Sequence, residues 1–202
     1  MSPSPMPSRR ATKIDTFMKR SKVSAGLLMF RKRDDKLEVL LVHPGGPFWR
    51  NKDRGAWTIP KGEVGENEDL LVRATTEFKE EIGFTPSPET WIDLGNVKQK
   101  GGKIVHAWAF AGDLPPDFKV HSNTFELEWP PRSGRTQAFP EIDRAQFFSI
   151  EEARQRINSA QVLFLDRFGE MLKSHTTVRP PLSDPIQPEP SPSVSPTSRR
   201  LV

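Results

Sequence analysis

The stretch GEVGENEDLLVRATTEFKEEIGF, residues 62–84, constrains this chain more than any other part of it. Leu70, Leu71, Ala74, Phe78 and Ile82 recur at three- and four-residue spacing, which predicts a helix over residues 68–82 with one face on a core. Asn67 or Glu66 is placed to cap its start, Glu68 and Asp69 fall in the first turn where the helix dipole favours anions, and Gly83 closes the end. Beside the apolar stripe, Glu77, Glu80 and Glu81 stand at i, i+3 and i+4, so three carboxylates project from one neighbouring face. Like charges at that spacing repel. A divalent cation is the natural counter-charge, and hard oxygen ligands suit Mg2+ or Mn2+ better than zinc.

The spacing resembles the signature of the Nudix hydrolases, G-x5-E-x7-R-E-U-x-E-E-x-G-U with U an apolar residue. Gly62, Glu68, Glu77, Phe78, Glu80, Glu81, Gly83 and Phe84 match it, and Thr76 stands where the family has arginine. The segments at residues 43–49, 57–62, 126–132 and 139–144 resemble a bacterial subgroup described as predicted nucleoside triphosphate pyrophosphohydrolases, so the likeness spans residues 22–172. It implies an α/β (α+β) Nudix fold, a mixed β-sheet sandwiched between α-helices. It also implies that the Gly62 carbonyl joins Glu77, Glu80 and Glu81 as metal ligands, and that Glu77 serves as base or ligand. In the family the arginine helps to hold the neighbouring glutamates, so Thr76 leaves two outcomes open. One is an active hydrolase; the other is a weakened module that binds nucleotide or a partner without efficient turnover.

Charge and proline mark the limits of the folded part. The net charge of +4 belongs to the ends, since residues 1–22 carry +5 and residues 173–202 carry +2, leaving the centre at −3. A basic nucleic-acid platform on the core is therefore not indicated. Half of the 20 prolines also lie in the ends. This divides the chain into a disordered basic extension over residues 1–21, a domain over 22–175 and a disordered Pro/Ser-rich tail over 176–202. The chain has no cysteine, which excludes disulfides, thiolate metal sites and cysteine nucleophiles and fits a reducing, cytoplasmic setting. Its longest apolar runs, near residues 25–30 and 39–42, are too short to span a bilayer, so no membrane partner is expected.

Within the domain, residues 23–31 and 38–43 read as paired strands joined by a charged turn, and residues 56–59 as a short strand leading into the acidic helix. Residues 92–99 and 103–111 read as a hairpin turning at Gly101 and Gly102. A strand at 124–129, a loop at 130–140, a strand at 145–148 and helices ending near 157 and 173 complete the order, with Ser149 as a cap.

The chemistry follows from residue types. With no cysteine and few histidines, a covalent nucleophile has no evident cast, and metal-activated water attacking phosphorus in a nucleoside polyphosphate is the economical reading. Glu77, Glu80 and Glu81 are the candidate catalytic residues. Glu141 and Asp143 are the best candidates for a further loop acid, with Glu126 and Glu128 behind them. Lys61 and Arg50 are candidates for phosphate contact, and Trp49 and Trp129 for stacking on a base. Trp57, Trp91 and Trp108 are assigned to the core.

Overall fold

The structure is a computed structural model that describes residues 22–176. The extension expected at 1–21 and nearly all of the tail expected at 176–202 lie outside the described residues. Strand β1 (Val23–Arg33) turns back into β2 (Lys36–Pro44) as an antiparallel pair. Both residues of the turn, Asp34 and Asp35, have positive φ, the backbone twist that a two-residue hairpin loop requires. On its other edge β1 pairs in parallel with β5 (Ile104–Ala111), which pairs antiparallel with β4 (Ile92–Lys98). Strand β8 (Ile142–Ser149) covers the free edge of β2, giving the order β4-β5-β1-β2-β8.

The first half of β1 binds a different neighbour, β3 (Lys61–Glu63), through Ser24, Ala25 and Gly26. Residues 56–59 do not form the expected strand. They make single bridges from Thr58 to Val42 and from Trp57 to Ile157, in the gap where β1 parts from β2 and takes up β3, while β8 holds the opposite edge of β2. Gly26 is what lets the chain run so close to β1: any Cβ there would collide with the Pro60 carbonyl, which instead accepts from Leu27 N at 3.0 Å.

Alternation along β1 separates two cores. Ala25, Leu27 and Met29 face helix α1 (Leu70–Ile82) with Leu40, Val42, Ala74, Phe78, Ile82 and Phe110. Leu28 faces the other way, with Trp57, Ile59, Leu94 and Phe148, onto helices α2 (Ile150–Arg156) and α3 (Val162–Thr176). The mixed sheet is thus sandwiched between helices. Ser149 caps α2 through a reciprocal capping box with Glu152. The hairpin expected at residues 92–111 forms with a short 3-10 turn over Lys100–Gly102.

Where residues 130–140 read as a loop, the structure has β7 (Thr136–Pro140) paired with β6 (Thr124–Glu128) in a separate two-stranded sheet. The sequence masked it because Pro130, Pro131 and Gly134 all fall in the connecting turn and its polar strand has little apolar alternation.

The loop leading to the acidic helix is fastened from behind by one buried side chain. Gln161 Oε1 accepts from Thr58 Oγ1 at 3.0 Å and Ile59 N at 3.1 Å, while Nε2 donates back to Thr58 Oγ1 at 2.9 Å. Replacing Gln161 with Leu orphans the buried Ile59 N–H and leaves the Thr58 hydroxyl only its contact with the Ile59 carbonyl at 3.1 Å. Gln161→Leu is expected to lower stability by about 1–3 kcal/mol in urea titrations, whereas a change within about 0.5 kcal/mol would show that the anchor is dispensable.

Candidate active site

Helix α1 begins later than its periodicity suggests. Asp69, rather than Asn67 or Glu66, is the N-cap, and its Oδ1 accepts from Leu71 N and Val72 N at 2.9 Å each. Glu68 is kept out of the first turn because its carboxylate folds back onto Gly65 N at 2.7 Å, while Asn67 takes a left-handed conformation with φ of 60°. The end is as expected, with Gly83 left-handed and its N–H on the Lys79 carbonyl at 2.8 Å.

The apolar stripe seats the helix on the sheet, and its acidic face then meets the backbone of β3. Glu81 Oε2 accepts from Lys61 N at 3.1 Å. Glu77 lies over Gly62, where any Cβ would overlap its carboxyl group, so a glycine is required at 62 for the acid to sit there. Both glutamates are 8% exposed, an unusual degree of burial for ionisable groups. Burial pushes the Glu81 carboxyl from its ordinary 4.5 up to about 7. The charge and backbone N–H of Lys61 oppose that rise, and the nearby carboxylates of Glu141 and Glu80 reinforce it. Lys61 is shifted down, chiefly by burial, against the attraction of Glu81 and Glu141.

Arg73 supplies a counter-charge from within the helix. Its guanidinium pairs with Glu77 one turn later and approaches Glu80 at 3.8 Å. The Thr76 hydroxyl is spent on the helix backbone, donating to the Val72 carbonyl at 3.0 Å.

These groups line one cleft of about 480 Å³. Glu77, Glu80, Glu81 and Glu141 border it, as do Lys61, Arg73 and Lys103, with Trp49 and Phe125 as its aromatic members. Of the stacking and phosphate candidates, the structure brings Trp49 and Lys61 to the cleft. Arg50 is exposed on the Trp49 loop but does not border the cleft, and Trp129 packs edge-on against Phe48 at 5.6 Å instead of lining it. Glu126 and Glu128 are exposed on β6, away from the lining. Phe125 borders the cleft where Trp129 was expected to: the two have the same parity along β6, but Trp129 falls past the strand's end beside Phe48, whereas Phe125 packs beside Phe139 and next to Gly46. Lys103, one of the lysines flanking the β4–β5 turn and a candidate for positive charge at the pocket mouth, does border the cleft; one contributor had no local signal, Asn123 just before β6.

The donor set suits a hard divalent ion in kind, being carboxylates with a backbone carbonyl at Gly62, and it suits one in placement, since all border one cleft. Among the described residues, however, no three carboxylate or imidazole groups already form a cage for an ion. Glu77 is taken up by Arg73 and Glu81 by the Lys61 amide.

A family model described as NUDIX domain matches residues 20–168. The chain belongs to the Nudix family of pyrophosphohydrolases. Among solved structures it is similar to an Ap4A hydrolase of C. elegans, in a binary complex, at 23% identity and a TM-score of 0.56 over 75% of this chain and 98% of that one. It is also similar to the NUDIX domain of Shewanella oneidensis NrtR complexed with ADP ribose, at 15% identity and a TM-score of 0.52 over 75% and 88% of the two chains. A MutT protein from Methanosarcina mazei Go1 matches at 22% identity and a TM-score of 0.50 over 76% and 96%. These likenesses show the shared fold. No curated protein matches the chain. No helix among the described residues is long and apolar enough to cross a membrane.

The elevated Glu81 carboxyl has a consequence for stability. Its folded value, about 7, exceeds the ordinary 4.5, so the folded state binds the proton more tightly. Stability from this group is full below the lower value and is lost as pH rises through the window between the two. Metal-free wild type is expected to lose melting temperature against Glu81→Gln between about pH 5 and pH 8, by up to about 3 kcal/mol of stability. Parallel melting curves for the two proteins across that range would contradict a buried, ionising Glu81.

Proposed function

We propose that this protein is a Mg2+- or Mn2+-dependent hydrolase that cleaves a diphosphate linkage in a nucleoside polyphosphate, an NTP or a dinucleoside polyphosphate. The observation that carries this reading is the composition of this cleft: acids on α1, cations at Lys61, Arg73 and Lys103, and aromatic faces at Trp49 and Phe125. A nucleoside polyphosphate has the matching parts, a base to stack and a chain of phosphate oxygens to neutralise. Two of the similar structures are an Ap4A hydrolase and a domain complexed with ADP ribose, compounds that share a phosphate anhydride linkage to adenosine.

Glu77, Glu80 and Glu81, with the Gly62 carbonyl, are the groups that would hold the metal. When bound, the ion supplies charge for the phosphate oxygens and a more acidic water. Lys103 and Lys61 offer further positive charge to the phosphates. Trp49 and Phe125 hold the base by stacking, a contribution of about 1–3 kcal/mol for each such contact. Glu141 borders the cleft on the segment between β7 and β8, close enough to Glu81 to raise its proton affinity, and is the exposed carboxylate available to take a proton from the attacking water. The proposed boundaries of the working domain are residues 22–175, in a cytoplasmic protein.

Product analysis across nucleotides, with Mg2+ or Mn2+ and with chelator, tests this reading. Turnover is expected only with metal, and Glu80→Gln and Glu81→Gln are expected to lower kcat by about a hundredfold or more. Glu141→Gln is expected to lower kcat by about 10²–10⁴-fold with little change in metal-induced stabilisation. Chelator-resistant hydrolysis would sink the metal assignment, and tight nucleotide binding without product would establish a binding module instead.

A further inference from the structure

Strand β2 ends in a histidine that none of the chemistry above employs. His43 is fully buried, and both of its ring nitrogens lie against oxygen atoms: Nδ1 is 2.7 Å from Asp143 Oδ1, and Nε2 is 2.7 Å from the Lys52 carbonyl. A carbonyl oxygen only accepts, so Nε2 must carry a hydrogen. The second contact is then made by a proton lying between Nδ1 and the Asp143 carboxyl group.

Each partner belongs to a segment that reaches the cleft. Asp143 is the extra residue of a β-bulge. His43 pairs with Arg144 and Pro44 pairs with Ile142, so Asp143 has no partner across the strands and its side chain is re-aimed at the imidazole. Immediately before it, Ile142 and Glu141 border the cleft, and Gly45 N donates to the Glu141 carbonyl at 2.8 Å. On the other side, Lys52 closes the turn that presents Trp49. Its N–H donates to the Trp49 carbonyl at 2.8 Å, and its ammonium lies 4.9 Å from the centre of the indole ring. The next residue, Asp53, is pinned independently by the Trp57 indole N–H at 2.7 Å and by Arg156.

We propose that His43 is a positioning residue for substrate binding, a two-pronged clip that fixes the Trp49–Lys52 turn to the Asp143 bulge and so holds Trp49 at the cleft. The alternative is that His43 merely fills the core against Trp57, whose ring centre is 5.2 Å away. A filler contributes to folding but has no preferred effect on the loop. A clip is read out at Trp49.

This inference rests on the cleft's being a nucleotide site, so the test includes one measurement that needs no nucleotide. Gln at 43 can place an N–H near the position of Nε2 and keep the Lys52 contact, whereas Asn, shorter, can keep only the Asp143 contact. Hydrogen exchange at the Lys52 amide is expected to quicken about tenfold or more in His43→Asn and to stay within about threefold of wild type in His43→Gln. Asp143→Ala, which removes the partner of Nδ1 and spares the core, is expected to quicken the same amide about tenfold.

In turnover assays, His43→Asn and Asp143→Ala are expected to raise KM about tenfold with kcat within about threefold, and to add little in a Trp49→Ala background because both act through that indole. Unchanged Lys52 exchange in both His43→Asn and Asp143→Ala, with folded spectra, overturns the clip. A KM effect fully additive with Trp49→Ala overturns its action through Trp49. Quickened exchange in a protein that turns over no nucleotide keeps the clip and overturns only the reading of the cleft.

Discussion

The docking of an acidic helix face onto a strand backbone is the contact on which the site depends. Helix α1 is seated by Ala74, Phe78 and Ile82, but its orientation about its own axis is fixed by where Glu77 and Glu81 meet β3. Ionised carboxylates do not enter such a position without compensation. Here the compensation comes from the Lys61 amide, the Lys61 charge and the Arg73 guanidinium. Gly62 is the steric condition for all of it, since only a residue without Cβ lets Glu77 lie against the strand. The cost of burying these acids is what makes the cleft receptive to a hard cation, which would discharge the repulsion that Glu80 and Glu141 impose on Glu81.

Around that contact the sheet acts as a jig. Strand β1 carries β3 on one half of an edge and β2 on the other half, so the signature loop and the Trp49 loop leave the same region of the sheet. The β6–β7 hairpin closes the cleft from the other side with Phe125. The acids proposed to hold the metal therefore sit on a packed helix, and the Trp49 loop and the segment leading to β3 are fastened at their bases by His43, Asp53 and Gln161.

Much of this was legible in the order of residues. Periodicity located α1 and its buried face, alternation located β1, β2 and the β4–β5 hairpin, and the spacing of Glu77, Glu80 and Glu81 identified one acidic face. What stayed hidden depended on distant partners. The start of α1 moved because Glu68 binds Gly65, a loop contact that competes with helix geometry. The β6–β7 sheet was obscured by a turn rich in breakers, and Phe125 rather than Trp129 borders the cleft because of where along the hairpin each falls. The role of Asp143 required a bulge, which no local pattern announces.

Arg73 is where sequence and structure meet most sharply. Thr76 occupies the position of the family arginine, yet its hydroxyl is turned onto the helix backbone, and the guanidinium beside Glu77 and Glu80 comes from Arg73, one turn earlier. A surface pair at that spacing contributes only about 0.3–0.5 kcal/mol, but this one reaches a glutamate that is 8% exposed, where loss of a partner leaves a buried charge uncompensated. The account therefore makes Arg73 the group that orients the acids, and its most direct test is kcat at saturating Mg2+ for Arg73→Ala, Thr76→Arg and the double variant. The expected result is a fall of about tenfold or more in Arg73→Ala that Thr76→Arg restores in the double variant. Full activity in a folded Arg73→Ala would contradict it.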